Sequence, residues 1–527
     1  MKVKITSSVL LGLASRALAL PSDPSLKVIP DSQLSERSSK VFPPVPDWRA
    51  EEVKRVFRES WLGYYRHAWG YDVLHPRRRD GEDDRNGWAL TVIDALSTAI
   101  IMKDKNVTAK SVEIISTLDF GTTKKRADPI SVFKATAHYL GGLVGSYGIL
   151  HGNMPPVEGK DKNGKWMLDQ AKTLADGLSV AFDAPTGIPD PTVYFNPAKV
   201  KSGADRSSAA EIGTLLLEWT YLSDLIGDDK YYKMAQKAEN YLLRPYGAPE
   251  AWPGLIGTWV GVKDGEFKDS SGGWGSHMGS FYDYLIKMYL YDPKWFSEHK
   301  DRWVKAADST IAYLASQPSS RSNLTFLKSY DGQSTTAESE HAAAFAGGTF
   351  ILGGLALNET KYIDFGLQLT DSYYQTYKTP SGIGPEGFRW VDAQLGGSPP
   401  SDQAGFYNES GFWASSPGWG LRPEMVESLY YAYQVTRDRK YQDMAYEVFK
   451  TVRSVCWSGA GYATIKDVMA PDGGGFDDRM ESSWLAKTLK FLYLIFVEED
   501  SRHFLSKAPW MEYVFTAGGH PIRTRRH

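Results

Sequence analysis

A weak internal repeat restricts the fold of this chain more than any other feature of the sequence. Residues 218–235 resemble residues 427–445, and residues 359–366 give a fainter third copy. Each copy predicts a helix, a short polar turn with an acidic residue, and a second helix that opens on Lys-Tyr. Because one helical hairpin cannot cover its own apolar face, repeated hairpins favour a closed ring or a solenoid.

Apolar residues recur at helical spacing along the rest of the chain, and no long Val/Ile-rich alternation indicates a dominant sheet. The segments with this spacing are 53–65, 90–102, 132–150, 167–182, 212–225, 311–314 and 484–496. About fourteen helices in one chain of this length predict an all-α fold that closes into a single α/α toroid. The alternative is a helical protein of several domains.

The charge balance and the cysteine content exclude several classes of function. Lys and Arg number 60 against 63 Asp and Glu, which leaves no basic field for a nucleic acid partner. The single cysteine, Cys456, excludes an internal disulfide and a Cys-based metal cluster. Beyond the N-terminus no apolar run reaches about 18 residues, so no membrane span is expected.

The N-terminus has the pattern of a targeting sequence. Two lysines precede an apolar stretch that ends in Ala-Leu-Ala, so residues 1–20 are predicted to be a secretory signal peptide. The Pro- and Ser-rich residues 21–47 are expected to form an exposed leader, and residues 48–527 a single domain. The chain is therefore predicted to be a glycoprotein of the secretory pathway or the extracellular space. Its candidate acceptors for N-glycosylation are Asn106, Asn323, Asn358 and Asn408.

Loops rich in Gly and Trp separate the predicted helices. They lie at residues 254–261, 271–279, 382–390 and 411–420. Sugar rings stack on aromatic faces, so this clustering favours a carbohydrate-binding cleft. For any single Trp, burial in the core is the simpler interpretation.

The most specific local pattern lies at residues 421–428. Pro423 suits the first position of a helix, where its missing N–H costs nothing. Glu424 and Glu427 then share one helix face, and Arg422 offers a fork that binds a carboxylate or a pair of hydroxyls. These residues suit a general base and a hydroxyl clamp. Simple stabilisation of the helix dipole by acidic residues is the alternative.

With this segment the chain resembles glycoside hydrolase family 47, the class I α-1,2-mannosidases, over residues 48–522. The other segments that carry the resemblance are 84–88 with 92–98, 217–225, 280–287, 382–386, 480–482 and 520–521. The resemblance implies an (α/α)7 barrel whose mouth binds a mannose-terminated glycan. It also implies hydrolysis with inversion, which needs an acid and a base separated by a water molecule, and a Ca²⁺ ion at the barrel floor.

Several residues around the sugar site match the family pattern. The resemblance implies that Glu424 is the general base and that a further retained carboxylate, Glu386, belongs to the catalytic group. It implies substrate contacts for the residues Arg422, Glu427, Glu481, Phe281 and Arg389. His341 is expected at the same floor.

Other positions depart from the family pattern. Lys134 stands where the family has its general-acid Glu, His138 replaces an Arg, and Gly279 replaces an Asp. Ala517 replaces the Thr that binds Ca²⁺, and Lys487 replaces a Glu. Calcium prefers six to eight oxygen ligands, so we expect the ion to be lost and no cofactor to be needed.

These departures leave three functions open. The chain hydrolyses mannosides with a rearranged acid such as Glu386, or it binds mannose-type glycans without catalysis. In the third interpretation it is a different enzyme that acts on a small-molecule ligand. Lys134, His138 and His277 are then the new titratable groups near the site, since a lysine and a glutamate together can abstract a proton or form an imine.

Overall fold

The computed structural model describes residues 47–151, 164–247, 250–497 and 511–525. The predicted signal peptide and all of the predicted leader except Asp47 lie outside the described residues. Asp47 caps the first helix, because its side chain accepts a hydrogen bond from the backbone N–H of Arg49.

The α-helical segments of the described residues follow one another along the whole chain. They are α1 (Trp48–His67), α2 (Leu90–Ile101), α3 (Lys105–Ile115), α4 (Val132–Lys134), α5 (Gly141–His151), α6 (Lys165–Leu178), α7 (Ala209–Gly213), α8 (Leu216–Ile226), α9 (Lys230–Leu243), α10 (Gly279–Tyr291), α11 (Ser297–Ser309), α12 (Ala346–Leu357), α13 (Thr360–Gln375), α14 (Ala404–Ser410), α15 (Glu424–Thr436), α16 (Arg439–Val455) and α17 (Leu489–Leu494).

Seven helical hairpins close into a ring within the described part of the chain. Each inner helix packs on the next in the order α2, α5, α8, α10, α12, α15, α17 and back to α2. The outer partners are α3, α6, α9, α11, α13, α16 and α1. Inner helices are buried on every side, as all twelve residues of α2 are, whereas an outer helix such as α16 buries one face. The expected (α/α)7 barrel is confirmed.

The three copies of the sequence repeat are three of these hairpins. The inner helices α8, α12 and α15 end at Gly227, Asn358 and Arg437, which have φ angles of 72°, 56° and 57°. A left-handed residue at this position ends a helix and reverses the chain. The same turn geometry therefore recurs with Gly, Asn and Arg, which explains why the repeat is weak in sequence.

Several predicted helices are interrupted, and two of the interruptions carry site residues. Segment 132–150 contains a π-helical turn, Ala135–Leu140, between α4 and α5. Segment 484–496 begins with the π-helical turn Trp484–Thr488 before α17. Single π-helical turns inside α-helices occur frequently at functional sites, and these two contain His138 and Lys487.

The remaining boundaries differ from the sequence pattern by local changes of helix type. Segment 167–182 ends in a 3₁₀ turn at Ser179–Phe182, and segment 311–314 is the π-helical end Thr310–Leu314 of α11. Segment 212–225 is broken between α7 and α8. No helix of the described residues is long and apolar enough to cross a membrane.

Short strands in the loops form small antiparallel sheets of two or three strands. They are β1 (Val73–His75), β2 (Asp80–Glu82), β3 (Ile130–Ser131), β4 (Thr192–Tyr194), β5 (Val200–Lys201), β6 (Arg206–Ser208), β7 (Trp259–Gly261), β8 (Ser271–Gly272), β9 (Ala315–Ser316), β10 (Phe326–Leu327), β11 (Ser329–Asp331), β12 (Ser334–Thr336), β13 (Glu338–Glu340), β14 (Gly387–Arg389), β15 (Trp413–Ser416), β16 (Thr464–Ile465), β17 (Phe476–Asp477), β18 (Tyr513–Phe515) and β19 (Pro521–Arg523).

Two of these sheets bear on the site. In the sheet β13–β14–β15 the middle strand, β14, begins directly after Glu386. The hairpin β18–β19 packs on α10 and α5 inside the ring. In the hairpin Val514 pairs with Ile522 and Phe515 with Pro521.

Candidate functional site

Glu424 is the first residue of α15 and forms the centre of the site. Its Oε2 accepts a hydrogen bond from Nδ1 of His341 at 3.1 Å. The sequence predicts Pro423 as the first residue of this helix, but the helix begins at Glu424 and Pro423 is its N-cap. The preceding Leu421 has a φ of 56°, and this left-handed residue turns Arg422 and Glu424 toward the same cluster.

The hydrogen bonds of His341 fix its tautomer. Trp419 Nε1–H, which can only donate, lies 3.3 Å from His341 Nε2, so Nε2 accepts and the ring proton of the neutral histidine is on Nδ1. Tyr377 Oη is 2.8 Å from the same Nε2. The imidazole N–H is therefore held against Glu424.

The electrostatics of this cluster keep Glu424 ionised. Burial opposes the charge, but the His341 hydrogen bond and the positive charge of Arg422 outweigh it and lower the pKa of Glu424 to about 2. Glu424 is thus a carboxylate at neutral pH. It suits a proton acceptor and not a proton donor.

Glu386 and Arg422 form the second part of the cluster. Arg422 Nε donates to both oxygens of Glu386, at 2.9 and 3.0 Å, and the backbone N–H of Gly420 donates to Oε1 at 2.9 Å. Part of the Arg422 side chain, 43% of its surface, stays accessible. The guanidinium therefore has N–H groups left for a ligand.

Deeper in the barrel, Glu427 belongs to a buried group of charges. Its Oε2 lies 2.7 Å from the ammonium of Lys487, and its Oε1 lies 3.7 Å from that of Lys287. Lys287 also pairs with Asp283 on the same helix, at 2.6 Å. Burial alone would lower the pKa of Lys487, but the carboxylates of Glu427 and Glu424 raise it overall. Lys487 is thus a buried cation that neutralises Glu427.

The turn of the β18–β19 hairpin lies where the family resemblance implies a calcium ion. The Thr516 hydroxyl accepts the backbone N–H of His520, so it closes the turn and is not free to bind a metal. Ala517 donates its backbone N–H to Tyr284 and offers no hydroxyl. A Cβ at Gly518 would lie 2.3 Å from the Ala137 carbonyl oxygen, so an acidic side chain does not fit there.

The residues at this turn do not suit a divalent cation. At Gly519 a Cβ would lie 2.7 Å from Lys487 Cγ, so the lysine stem packs directly on the turn. Across the described residues, no group of three His, Cys, Asp or Glu side chains is arranged to hold a metal ion. Calcium takes six to eight oxygen ligands, and the Glu427 carboxylate is bound to the Lys487 ammonium instead.

Lys134 and His138 face a cavity of about 210 Å³. Its wall is formed by Asp84, Arg85, Ser131, Lys134, His138 and Thr192, among others. The π-helical turn directs the partly exposed ring of His138 toward Asp94, which is fully buried and accepts from His138 Nδ1 at 2.9 Å. Sequence reasoning expected Lys134 and His138 near one another, and the structure brings both to this cavity.

A buried relay of hydrogen bonds lies behind His138. His520 Nε2 is 3.3 Å from Asp94, and its Nδ1 is 3.0 Å from the hydroxyl of Ser97, to which Lys490 also donates. Burial lowers the pKa of His520 to about 4 and that of Lys490 to about 7. His520 is therefore neutral at pH 7. The relay joins the inner helices α2 and α17 to the hairpin and holds Asp94 in place.

Gly279, where the family resemblance implies an Asp, has no room for a side chain. A Cβ at this position would lie 2.4 Å from the Trp274 carbonyl oxygen and 2.7 Å from Phe345 Cζ. The start of α10 is packed tightly against these two residues. The local packing at Gly279 therefore leaves no space for a carboxylate side chain.

Three of the predicted site residues lie elsewhere or bind differently. Phe281 is fully buried and packs on α7, where a Cβ at Gly213 would lie 2.4 Å from its ring, and its predicted contact with substrate stays a prediction. Arg389 lies on the exposed part of β14 and pairs with Glu338 at 2.7 Å. His277 is exposed and lies 5.5 Å from the ring of Trp259, away from the cavity-lining residues.

Glu481 lies at the edge of the site, bound by Arg479 at 2.5 Å. The tryptophans of the Gly- and Trp-rich loops are mostly buried, which agrees with the simpler interpretation of these residues. Trp274 and Trp390 donate their N–H groups to Thr310 and Ser316, so they serve the core. Trp419 is also buried, but it orients His341.

Sequence reasoning missed the groups that hold the site residues. Asp94, Ser97 and Lys490 are ordinary members of apolar helices in the sequence, and only the closed ring brings them together. Arg85 and Arg479 lie in loops remote from each other along the chain. One signal in the sequence points toward these groups. Lys134 and His138 are basic residues where the family pattern has other residues, and basic residues in a site need acidic residues nearby.

Comparisons with known proteins agree with this geometry. The model of glycosyl hydrolase family 47 matches residues 56–524. A probable mannosyl-oligosaccharide alpha-1,2-mannosidase 1B of Aspergillus clavatus is 40% identical, over 98% of both chains. A mannosyl-oligosaccharide alpha-1,2-mannosidase of Penicillium citrinum is 41% identical, over 91% of this chain and 92% of its own. The solved alpha-1,2-mannosidase from Trichoderma reesei superposes with a TM-score of 0.89 at 51% identity, covering 91% of this chain and all of its own.

Proposed function

The chain belongs to glycosyl hydrolase family 47, and on that premise we propose that its barrel binds the terminal mannose of mannose-type glycans without the family's efficient inverting hydrolysis. The observation that carries this proposal is the retained cluster of His341, Glu424, Arg422 and Glu386 beside a cation at the acid position. The members of the cluster are held by hydrogen bonds to one another, and part of the Arg422 side chain stays accessible, as in a preformed ligand site.

The retained cluster supplies the groups that a sugar needs. Arg422 donates to oxygen atoms, while the carboxyl oxygens of Glu424 and Glu386 accept from hydroxyl groups. Ionised partners make hydrogen bonds of about 1.5–3 kcal/mol, so two or three such bonds hold a sugar ring. His341 and Gly420 keep the two carboxylates in position before the ligand arrives.

The proton donor for hydrolysis is what the site lacks. Glu424 is ionised, Glu386 already accepts from Arg422 and Gly420, and Lys134 offers an ammonium in place of a carboxylic acid. A positioned general acid contributes about 10²- to 10⁴-fold to a rate. Its loss therefore leaves binding intact and slows cleavage by this factor.

We also propose that Lys487 takes the place of the divalent cation. Its ammonium neutralises Glu427 from within the barrel, at 2.7 Å, and its stem fills the space over Gly519. The site then requires no metal for its charge balance. Binding of a mannoside is expected to be the same with EDTA and with Ca²⁺.

Calorimetric titration of α-1,2-mannobiose into the protein tests the proposal. We expect saturable binding, recovery of the intact disaccharide, and loss of at least tenfold in affinity in Arg422→Gln. Arg244→Gln is the matched control, because Arg244 also forms a close double contact with a carboxylate, that of Glu298, at the protein surface. Absence of binding by the wild type, or equal affinities of the two variants, would refute the assignment of this site.

A further inference from the structure

We propose that the cavity beside Lys134 binds an anionic tetrahedral group, such as a phosphate monoester, carried by the glycan ligand. This inference rests on the proposed function, because the cavity is taken to hold a substituent of the ligand in the barrel. The geometry that points to it is a pair of cations, Arg85 and Lys134, that face one cavity without an acidic partner among the described residues.

The carboxylates around the cavity are already bound to other groups. Asp84 and Glu481 both pair with Arg479. Asp94 accepts from His138 and from His520.

The fourth nearby carboxylate, that of Asp72, is also occupied. It accepts the backbone N–H groups of Arg85, Gly87 and Leu90, at 2.8, 2.7 and 3.2 Å. None of the four acids forms an ion pair with Arg85 or Lys134 among the described residues. The charges of Asp84 and Glu481 still act on Lys134, and Asp84 keeps one buried oxygen without a hydrogen-bond partner.

The two cations repel one another across the cavity. Partial burial lowers the pKa of Lys134, and the positive charges of Arg85 and Arg479 lower it further, while Glu481 and Asp84 offset only part of the effect. Two like charges that share one cavity disfavour each other, although the Lys134 side chain itself stays exposed. An oxyanion between them removes this penalty, since a guanidinium binds it through two N–H groups and an ammonium as a point charge.

His138 adds a third group to the same wall. Its Nδ1 is committed to Asp94, and its Nε2 makes no hydrogen bond to any of the described residues. About a fifth of the side chain, 22%, is exposed. With the ring proton on Nδ1, this nitrogen is an acceptor, so it can take a hydrogen bond from a hydroxyl group of the ligand.

The size and position of the cavity indicate a substituent of a larger ligand. Its volume of about 210 Å³ is below the roughly 300–1,000 Å³ of clefts that enclose a drug-sized molecule. Glu481 connects the two regions, because its charge acts both on Lys134 and on Arg422. The proposal takes one ligand to span the Arg422 cluster and the cavity.

The experiment compares three probes by calorimetric titration: α-1,2-mannobiose, the same disaccharide with a phosphate monoester on O6 of either ring, and methyl phosphate. We expect one phosphorylated disaccharide to bind at least tenfold more tightly than the neutral one, and its advantage to shrink at high salt. Arg85→Gln and Lys134→Met should each bring the ratio of the two affinities toward one. Arg66→Gln, an exposed arginine on α1, should leave the ratio as it is in the wild type.

The two substitutions are compatible with folding, because Arg85 anchors its loop through backbone groups and Lys134 is exposed. Equal affinities for neutral and phosphorylated disaccharides would overturn the inference and leave the proposed function standing. Methyl phosphate that binds as tightly as the phosphorylated disaccharide would also overturn it, since the anion would then be a separate ligand. If no disaccharide binds, the proposed function fails, and this inference fails with it.

Discussion

Replacement of Lys487 by Met tests the buried ion pair that we propose takes the place of a metal ion. The variant keeps the length of the side chain but removes the ammonium that lies 2.7 Å from Glu427. Glu427 is only 4% exposed, so its charge cannot turn to water. The remaining cation, Lys287, is 3.7 Å from Glu427 and is already bound to Asp283.

The expected loss of stability follows from this geometry. Removal of one partner from a buried ion pair costs about 3–5 kcal/mol, and the nearby Lys287 favours the lower end, about 3 kcal/mol. Unfolding entropy is about 2.1 cal/mol/K per residue, so the thermal midpoint of a chain of this size falls by about 3 °C. Guanidinium unfolding followed by circular dichroism gives the free energy directly.

Two further variants make the result specific. In Glu427→Gln/Lys487→Met no charge is left unpaired, so most of the lost stability should return, to within about 1 kcal/mol of the wild type. Lys440→Met breaks an exposed pair with Asp371 and should cost under about 1 kcal/mol. A Lys487→Met protein as stable as the wild type, or a double variant as unstable as the single one, would refute the reasoning.

Three other predictions test separate parts of the account. The pKa of Glu424 is lowered from its ordinary value of 4.5 to about 2, so its contribution to stability is present above about pH 5 and is lost as the pH falls toward 2. In acid unfolding curves, His341→Phe should shift this loss to higher pH. An unchanged curve would contradict the His341 contact. Gly279→Ala should cost roughly 1–3 kcal/mol because its Cβ meets Trp274 and Phe345, whereas Gly405→Ala, with open space around it on α14, should cost nothing in the same denaturation assay. Burial raises the pKa of the Cys456 thiol, so Ellman's reagent should react with one thiol per chain only after unfolding, and fast reaction of the folded protein would contradict the position of Cys456 in the core.

The ring of hairpins could be predicted from the sequence because its signal is repeated. Helical spacing and polar turns occur in every hairpin, and the turns at Gly227 and Arg437 follow one geometry. The π-helical turns were not predictable in this way. They are set by tertiary packing around His138 and Lys487, which no local spacing reveals.

The site was predictable where a motif fixes both the residue and its direction. Arg422 and Glu424 flank the start of one helix, so their proximity follows from the segment itself. Phe281 shows the limit, since the sequence does not reveal that its ring is fully buried against α7. The role of Lys487 depends on Glu427 from another helix, and that pairing exists only in the closed ring.

The most direct test of the account is a single-turnover assay of mannose release from α-1,2-mannobiose, with the protein in excess over the sugar. The reaction is run in parallel with EDTA and with added Ca²⁺, and free mannose is measured by anion-exchange chromatography. We expect mannose release to be equally slow under both conditions, about 10²- to 10⁴-fold slower than release by a family relative that keeps the general acid. Rapid release of mannose that requires Ca²⁺ would contradict both the loss of the proton donor and the replacement of the metal ion by Lys487.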